Sequence, residues 1–279
     1  MTIISRHYVG VGSSPWDSTN SWSVISGGLS GASVPDAFTN AFFDHTGYGP
    51  CTLDSSVSIA GLVMGNSDST LIQNNKSLVI SGSLMVTAGR FIGSGQNISA
   101  QGGAIIGSAC SFKNTDATLQ LYTDSSLGTG FTDNVGTVAI YSGTHLTADA
   151  SLYNLEILQV PIATPIVVNG TCAINNDLTL VSGYLQRGTD STIVVKGDLY
   201  IQQEFGSFDT RNNALIAMDG STVQNIYNQG GGIIPSLTVN NDSTFQTMCW
   251  GASPILMNGD FNLQDGTFNT QGIDIQVGV

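Results

Sequence analysis

"SLMVTAGRF" runs from Ser83 to Phe91, "DLTLVSGYL" from Asp177 to Leu185, and "DFNLQDGTF" from Asp260 to Phe268. Each reads as a short alternating strand, a glycine near a corner, and a second short strand. "GDLYIQQEFGSF", from Gly197, is a looser copy. A second motif precedes each of the three: "GLVMG", "NLEIL" and "SLTVN". From the earlier motif to the later one, Leu62 to Leu84, Leu155 to Leu178 and Leu237 to Phe261 are 22, 23 and 24 residues apart. Two motifs that keep their separation while the longer unit recurs point to internal duplication.

A separation near 23 residues is about one coil of a right-handed parallel β-helix. In such a coil two or three short strands are joined by turns, and each strand stacks on its equivalent about 4.8 Å away. The expected fold is therefore all-β, a single-stranded right-handed parallel β-helix with an N-terminal capping segment. Leu62, Leu84, Leu155, Leu178, Leu237 and Phe261 are the expected core ladder. The expected division is a cap or attachment segment over residues 1–52 and a β-helix over 53–279. Three degenerate superrepeats are expected at about 53–150, 151–235 and 236–279. "SVPDAFTNAFFDH", from Ser33, is read as a loop in preference to a short helix. The C-terminal "IDIQVGV" reads as a strand with an open edge, and such an edge needs a cover: a partner subunit, further chain or the N-terminal segment.

Composition agrees with this pattern. The chain has 279 residues, 34 of them glycine, and only 10% are charged, less than half the usual share of a soluble domain. Acids outnumber bases 20 to 7, and only Glu156 and Glu204 are glutamates, so nearly all the acids are the turn-forming aspartate. The net charge of −13 leaves no basic patch for nucleic acid. No run of apolar residues is long enough for a membrane-spanning helix. Cys51, Cys110, Cys172 and Cys249 are widely spaced, as buried free thiols would be, and form no zinc motif.

The stretch from Tyr8, "YVGVGSSPWDSTNSWSVISGGLSGASVPDAFTNAFFD", places Trp16 and Trp22 six residues apart. Aromatic residues at this point suit a plug over the apolar end of a solenoid; sugar stacking or a subunit contact are the other uses. The stretch resembles glycine-rich leaders of the form Y-V-G-G-x-G-x-W-D-x-x-N-x-W-S followed by G-G-x-x-G-x-x-V-P. Such leaders precede β-helical repeats in tail-fibre-like and other structural proteins of bacteriophages, and related ones occur in bacterial surface adhesins. The matching positions are Tyr8, Val9, Gly10, Gly12, Trp16, Asp17, Asn20, Trp22 and Ser23, then Gly27, Gly28, Gly31, Val34 and Pro35. Val11 stands where a glycine is usual. Tyr8, Trp16, Trp22, Val34 and Pro35 are the candidate capping or interface residues.

The resemblance implies a particle or cell-surface role and carries over no catalytic residue. The N-terminus lacks an apolar stretch followed by a cleavage site, which favours a virion protein assembled in the host cytoplasm over a secreted adhesin. The expected role is capsid decoration or a tail-associated fibre or spike. The expected partners are copies of itself, as a homotrimer, other phage structural proteins and a host surface glycan. The second class is a glycan-binding or glycan-cleaving surface β-helix, since the fold leaves function open. Cleavage requires paired carboxylates, and the candidates are Asp116 with Asp124, or Asp198 with Glu204 and Asp209. Most aspartates here adjoin glycine, asparagine or serine and read as turn residues. Arg90, Arg187 and Arg211 are isolated, and His7, His45 and His145 are far apart, so no enzyme, metal site or cofactor is expected. A glycan module should instead show exposed tyrosines, from among Tyr122, Tyr141, Tyr184 and Tyr200, beside paired acids.

Overall fold

The computed structural model describes residues 2–44, 47–142, 145–158, 166–183, 185–188, 191–205, 215–229, 232–242, 246–251 and 253–278. Short strands lie in parallel sheets stacked as a β-solenoid of about 10 turns. The chain forms two compact units, Met1–Gly136 and Thr137–Val279.

In the first unit a coil consists of three strands. One coil runs through Gly61–Met64, Ser69–Ile72 and Leu78–Ile80, and the next through Leu84–Val86, Arg90–Ile92 and Ile98–Ala100. Each strand pairs in parallel with its equivalent one coil away. Alternation turns every second side chain inward, so the register builds columns. Ala41, Leu62, Leu84 and Ala104 form one column, and Phe43, Met64, Val86, Ile106 and Leu127 form another. A second face contributes Cys51, Leu71, Phe91, Phe112 and Phe131, and all of these side chains are buried. Phe91, Phe112 and Phe131 stack nearly parallel, with ring centroids 4.5 and 5.6 Å apart.

The corners must satisfy backbone groups that no strand pairs. Gln73, fully buried, donates from Nε2 to the carbonyls of Lys76 and Gln96 and accepts the Ser94 N–H at Oε1. Two coils are thereby stitched through one amide, which is how a buried polar side chain avoids its desolvation cost. At Gly103 the corner is too tight for a side chain. Its φ is +79°, and a Cβ would sit 2.3 Å from the Asp124 carbonyl oxygen in the next coil.

The second unit repeats the scheme. Val138, Leu155, Leu178, Leu199, Ile226 and Cys249 form one inner column. Cys172, Ile193, Ile216, Leu237 and Phe261 form another, on a different face. Buried Gln224 plays the part of Gln73: its Nε2 donates to the Val195 and Gly197 carbonyls, and its Oε1 accepts the Gly220 N–H.

The three sequence pairs are neighbours in adjacent coils: Leu62 registers with Leu84, Leu155 with Leu178 and Leu237 with Phe261. The five leucines are buried, whereas Phe261 is half-exposed. Its strand, Phe261–Asp265, is the outermost of its sheet, so Phe261 has a stacked strand on one side only. Within the second unit the Leu155/Leu178 and Leu237/Phe261 pairs lie on different faces. The period the structure keeps is the single coil, and the longer spacing does not return a motif to the same face.

Stacking also begins before residue 53. Ile4–Tyr8 pairs in parallel with Thr39–Phe43, and Ser14–Pro15 with Gly49–Thr52. The segment expected to be a loop thus contains the strand Thr39–Phe43, with Thr39, Ala41 and Phe43 inward. The turn before it is held by Asp36, whose carboxylate accepts the Thr39 hydroxyl at 2.7 Å and the Phe38 N–H at 3.0 Å. The Thr39 bond, then that of Phe38, keeps the Asp36 carboxyl below its usual range. "VPIATPIVV" is described only from Ile166, where a strand runs to Asn169, and the glycine-rich stretch after Asn228 leads into the short strand Ile233–Ile234. The C-terminal expectation holds, as Ile275–Val277 is a strand.

Cys51, Cys172 and Cys249 are buried and Cys110 is half-buried, all as free thiols. Burial pushes the Cys172 and Cys249 thiols from 9.0 up to about 12, and Cys51 upward as well, with the Asp54 charge as a second cause. A neutral thiol favoured by the fold contributes stability below the thiol's unfolded pKa, and that contribution fades as the pH rises above it. In the native protein a disulfide reagent at pH 8 should titrate one thiol, Cys110. All four should react after denaturation. Rapid native reaction of a second thiol would mean that the coils open around it.

Candidate functional site

Two surfaces gather the side chains with functional potential, one in each unit. The first is the N-terminal cap. Tyr8, Trp16 and Trp22 are fully buried, Pro35 is buried and Val34 is half-buried. Trp22 packs edge-on against Trp16, Tyr8 and Phe43, at centroid distances of 4.7, 5.8 and 5.8 Å. Its indole N–H donates to the Trp16 carbonyl at 2.8 Å. Trp22–Ser23 pairs antiparallel with Ile4–Tyr8 and covers that strand's outer edge, so the end of the sheet is closed. The glycine-rich stretch then folds back: Gly31 N–H bonds the Thr19 carbonyl and Ala32 N–H the Trp22 carbonyl. Arg6 clamps it through Ser33, donating to both the carbonyl and the hydroxyl. Burial pushes the Tyr8 hydroxyl up to about 12. Because the two tryptophans are wholly inside, neither has a face open to a sugar or to another subunit; both are plug residues.

The outside of the cap is different. More than half of the exposed large apolar side chains among the described residues precede Leu53, including Ile3, Val11, Val24, Ile25, Leu29 and Tyr48. Leu29 is 93% exposed. Val11 and Leu29 face one cleft of about 400 Å³, with Pro15 and Asn20 also lining it. At the side of the cap His7 Nδ1 lies 2.8 Å from Asp44 Oδ2, and the imidazole stacks on Phe42 at 5.1 Å.

The second surface lies on the outer side of one sheet of the second unit. Tyr200, Tyr227 and Trp250 occupy equivalent outward positions on three successive coils. The two tyrosine rings stack at 4.8 Å and 11°. Trp250 is 41% exposed, and its indole N–H donates to Asn225 Oδ1 at 2.8 Å. Beside the rings runs a row of carboxyl and amide groups. Asn154 Oδ1 accepts the Asp177 N–H, Asp177 Oδ1 the Asp198 N–H, and Asp198 Oδ1 the Asn225 N–H, at 3.1, 2.9 and 2.8 Å. The Asn225 amide also donates to both Asp198 oxygens at 3.1 Å. Burial, then the Asp177 and Asp198 carboxylates, push the Tyr200 hydroxyl upward, so it remains a donor.

The sequence reading named Tyr200 and Asp198 but missed Tyr227, Trp250, Asp177 and Asn225. The signal existed as register, but the steps from Tyr200 to Tyr227 and from Tyr227 to Trp250 are 27 and 23 residues. No fixed period aligns them. Tyr122 and Tyr141 are half-buried, and Tyr184 lies outside the described residues. Of the candidate acids, Asp116 is exposed and pairs with Lys113 at 3.3 Å, and Asp124 is exposed. Asp209 and the Glu204 side chain lie outside the described residues, as do His45, Arg211 and the Arg187 side chain. Among the described residues no three His, Cys, Asp or Glu side chains form a metal-holding group.

Fold and surfaces together define the class: a parallel β-solenoid with an aromatic-plugged N-terminal cap. No protein-family model, curated protein or solved structure matches the chain.

Proposed function

We propose that this chain is a structural component of a bacteriophage particle, a capsid decoration protein or a tail-associated fibre or spike, which works by assembly. The observation that carries the reading is the cap: rigid and fully packed inside, and apolar outside over Val11, Val24, Ile25 and Leu29. Isolated exposed apolar residues are ordinary, but a concentration of them on a rigid element is what a docking surface requires. The leader resemblance supports the same role, as does a solenoid with few charges and many backbone bonds, which suits a durable particle. The assembly is a homotrimer in this reading, and it assigns no catalytic residue.

The test uses light scattering for mass in solution and antibody labelling of purified particles. Wild-type chain is expected to assemble and to label the particle surface. The double variant Val11→Asp/Leu29→Asp is expected to keep the wild-type circular dichroism and unfolding midpoint, because both side chains already face water. It should lose assembly by at least about tenfold, the equivalent of 1.4 kcal/mol. A wild-type chain that stays monomeric and is absent from particles, with the variant behaving identically, would sink the reading.

A further inference from the structure

We propose that the outward column Tyr200–Tyr227–Trp250, with the Asp177–Asp198–Asn225 row beside it, binds an extended, uncharged glycan chain. Where an aromatic stack only holds coils together it lies inside, as Phe91, Phe112 and Phe131 do in the first unit. Here three aromatic residues in register face water, and the last of them is the most exposed. Their surroundings match a sugar. A pyranose offers an apolar C–H face and a rim of hydroxyls, and so needs a ring to lie on and fixed polar groups around it. The stacked tyrosines cover one another's facing surfaces and present their edges and hydroxyls. Trp250 supplies the open ring, and its bond to Asn225 fixes the orientation of the indole. The carboxylates of Asp177 and Asp198 are held by backbone N–H groups, and a carboxylate keeps further lone pairs for sugar hydroxyls.

The row is thus ordered before any ligand arrives, which lowers the cost of binding. The column also repeats at the coil rise of about 4.8 Å, close to the advance of a linear polysaccharide per sugar. A chain lying along the column would meet equivalent groups at each step. Asp177, Asp198 and Glu156 lie on these coils and would repel a polyanion, so the occupant is a neutral chain. This inference stands apart from the assembly reading, because an isolated chain suffices to test it.

Trp16 and Trp22 are fully buried, so acrylamide quenching of tryptophan fluorescence reports on Trp250. The probes are maltohexaose, cellohexaose, laminarihexaose, chitohexaose and a neutral O-polysaccharide, with heparin and single-stranded DNA as polyanions. At least one neutral glycan is expected to shield Trp250. Affinity measured by calorimetry should fall about tenfold in Trp250→Ala and in Tyr227→Ala, the scale of one lost aromatic contact, and less in Trp250→Phe. The proposal is overturned if no neutral glycan shields Trp250, if a polyanion does so instead, or if both alanine variants bind as tightly as wild type.

Discussion

Replacing Trp22 with alanine should remove about 3–5 kcal/mol from the stability of the N-terminal cap, the range for truncating a buried aromatic side chain. Trp22 touches Trp16, Tyr8 and Phe43, so the cavity is lined by rings that cannot readily close over it. The Trp16 carbonyl also loses the indole N–H donor at 2.8 Å. Trp22→Phe keeps a ring but not the donor and should cost markedly less. Where the loss is felt follows from solenoid physics. Each coil contacts only its neighbours, so stability is close to a sum of coil and interface contributions. Hydrogen exchange in Trp22→Ala should therefore accelerate first in Ile4–Tyr8 and Thr39–Phe43, while the column from Leu84 onward keeps its protection. Uniform acceleration across Met1–Gly136 would show that the cap nucleates the whole unit and is not a local plug.

The sequence made the coil legible because a parallel β-helix writes its period into alternation. Leu62 and Leu84, Leu155 and Leu178, and Leu237 and Phe261 are register partners because each pair sits at the same point of two alternating strands. The longer superrepeat failed to map onto a face because coil length varies with the turns, so 82 or 93 residues between leucines contain no whole number of equal coils. Thr39–Phe43 was obscured by adjacent aromatic residues: Phe43 points inward while Phe42 turns out to meet His7. The cap's aromatic residues were visible as a motif, but their complete burial depends on a fold-back held by Arg6 and Ser33, 27 residues apart. The column ending at Trp250 was invisible for a similar reason, as only the settled register of three coils places Trp250 after Tyr227.

The middle ring of the Phe91–Phe112–Phe131 stack gives the sharpest test of the ladder. Phe112→Ala should destabilise the first unit by about 3–5 kcal/mol from lost burial and the cavity left behind. It also breaks two stacking contacts, at 4.5 and 5.6 Å, each worth about 0.5–1.5 kcal/mol beyond burial. Phe131→Ala breaks one such contact, so it should cost less even though both rings are buried. Phe112→Leu keeps most of the volume and should lose chiefly the stacking. Equilibrium urea unfolding with matched slopes is the measurement. A double-mutant cycle between Phe91→Leu and Phe112→Leu then isolates the coupling between neighbouring coils, since each substitution removes the same contact. A clear favourable coupling is expected. If Phe112→Ala cost no more than Phe131→Ala and the cycle closed to zero, the rings would be three separate anchors, and coil-to-coil stacking would not be what holds this face together.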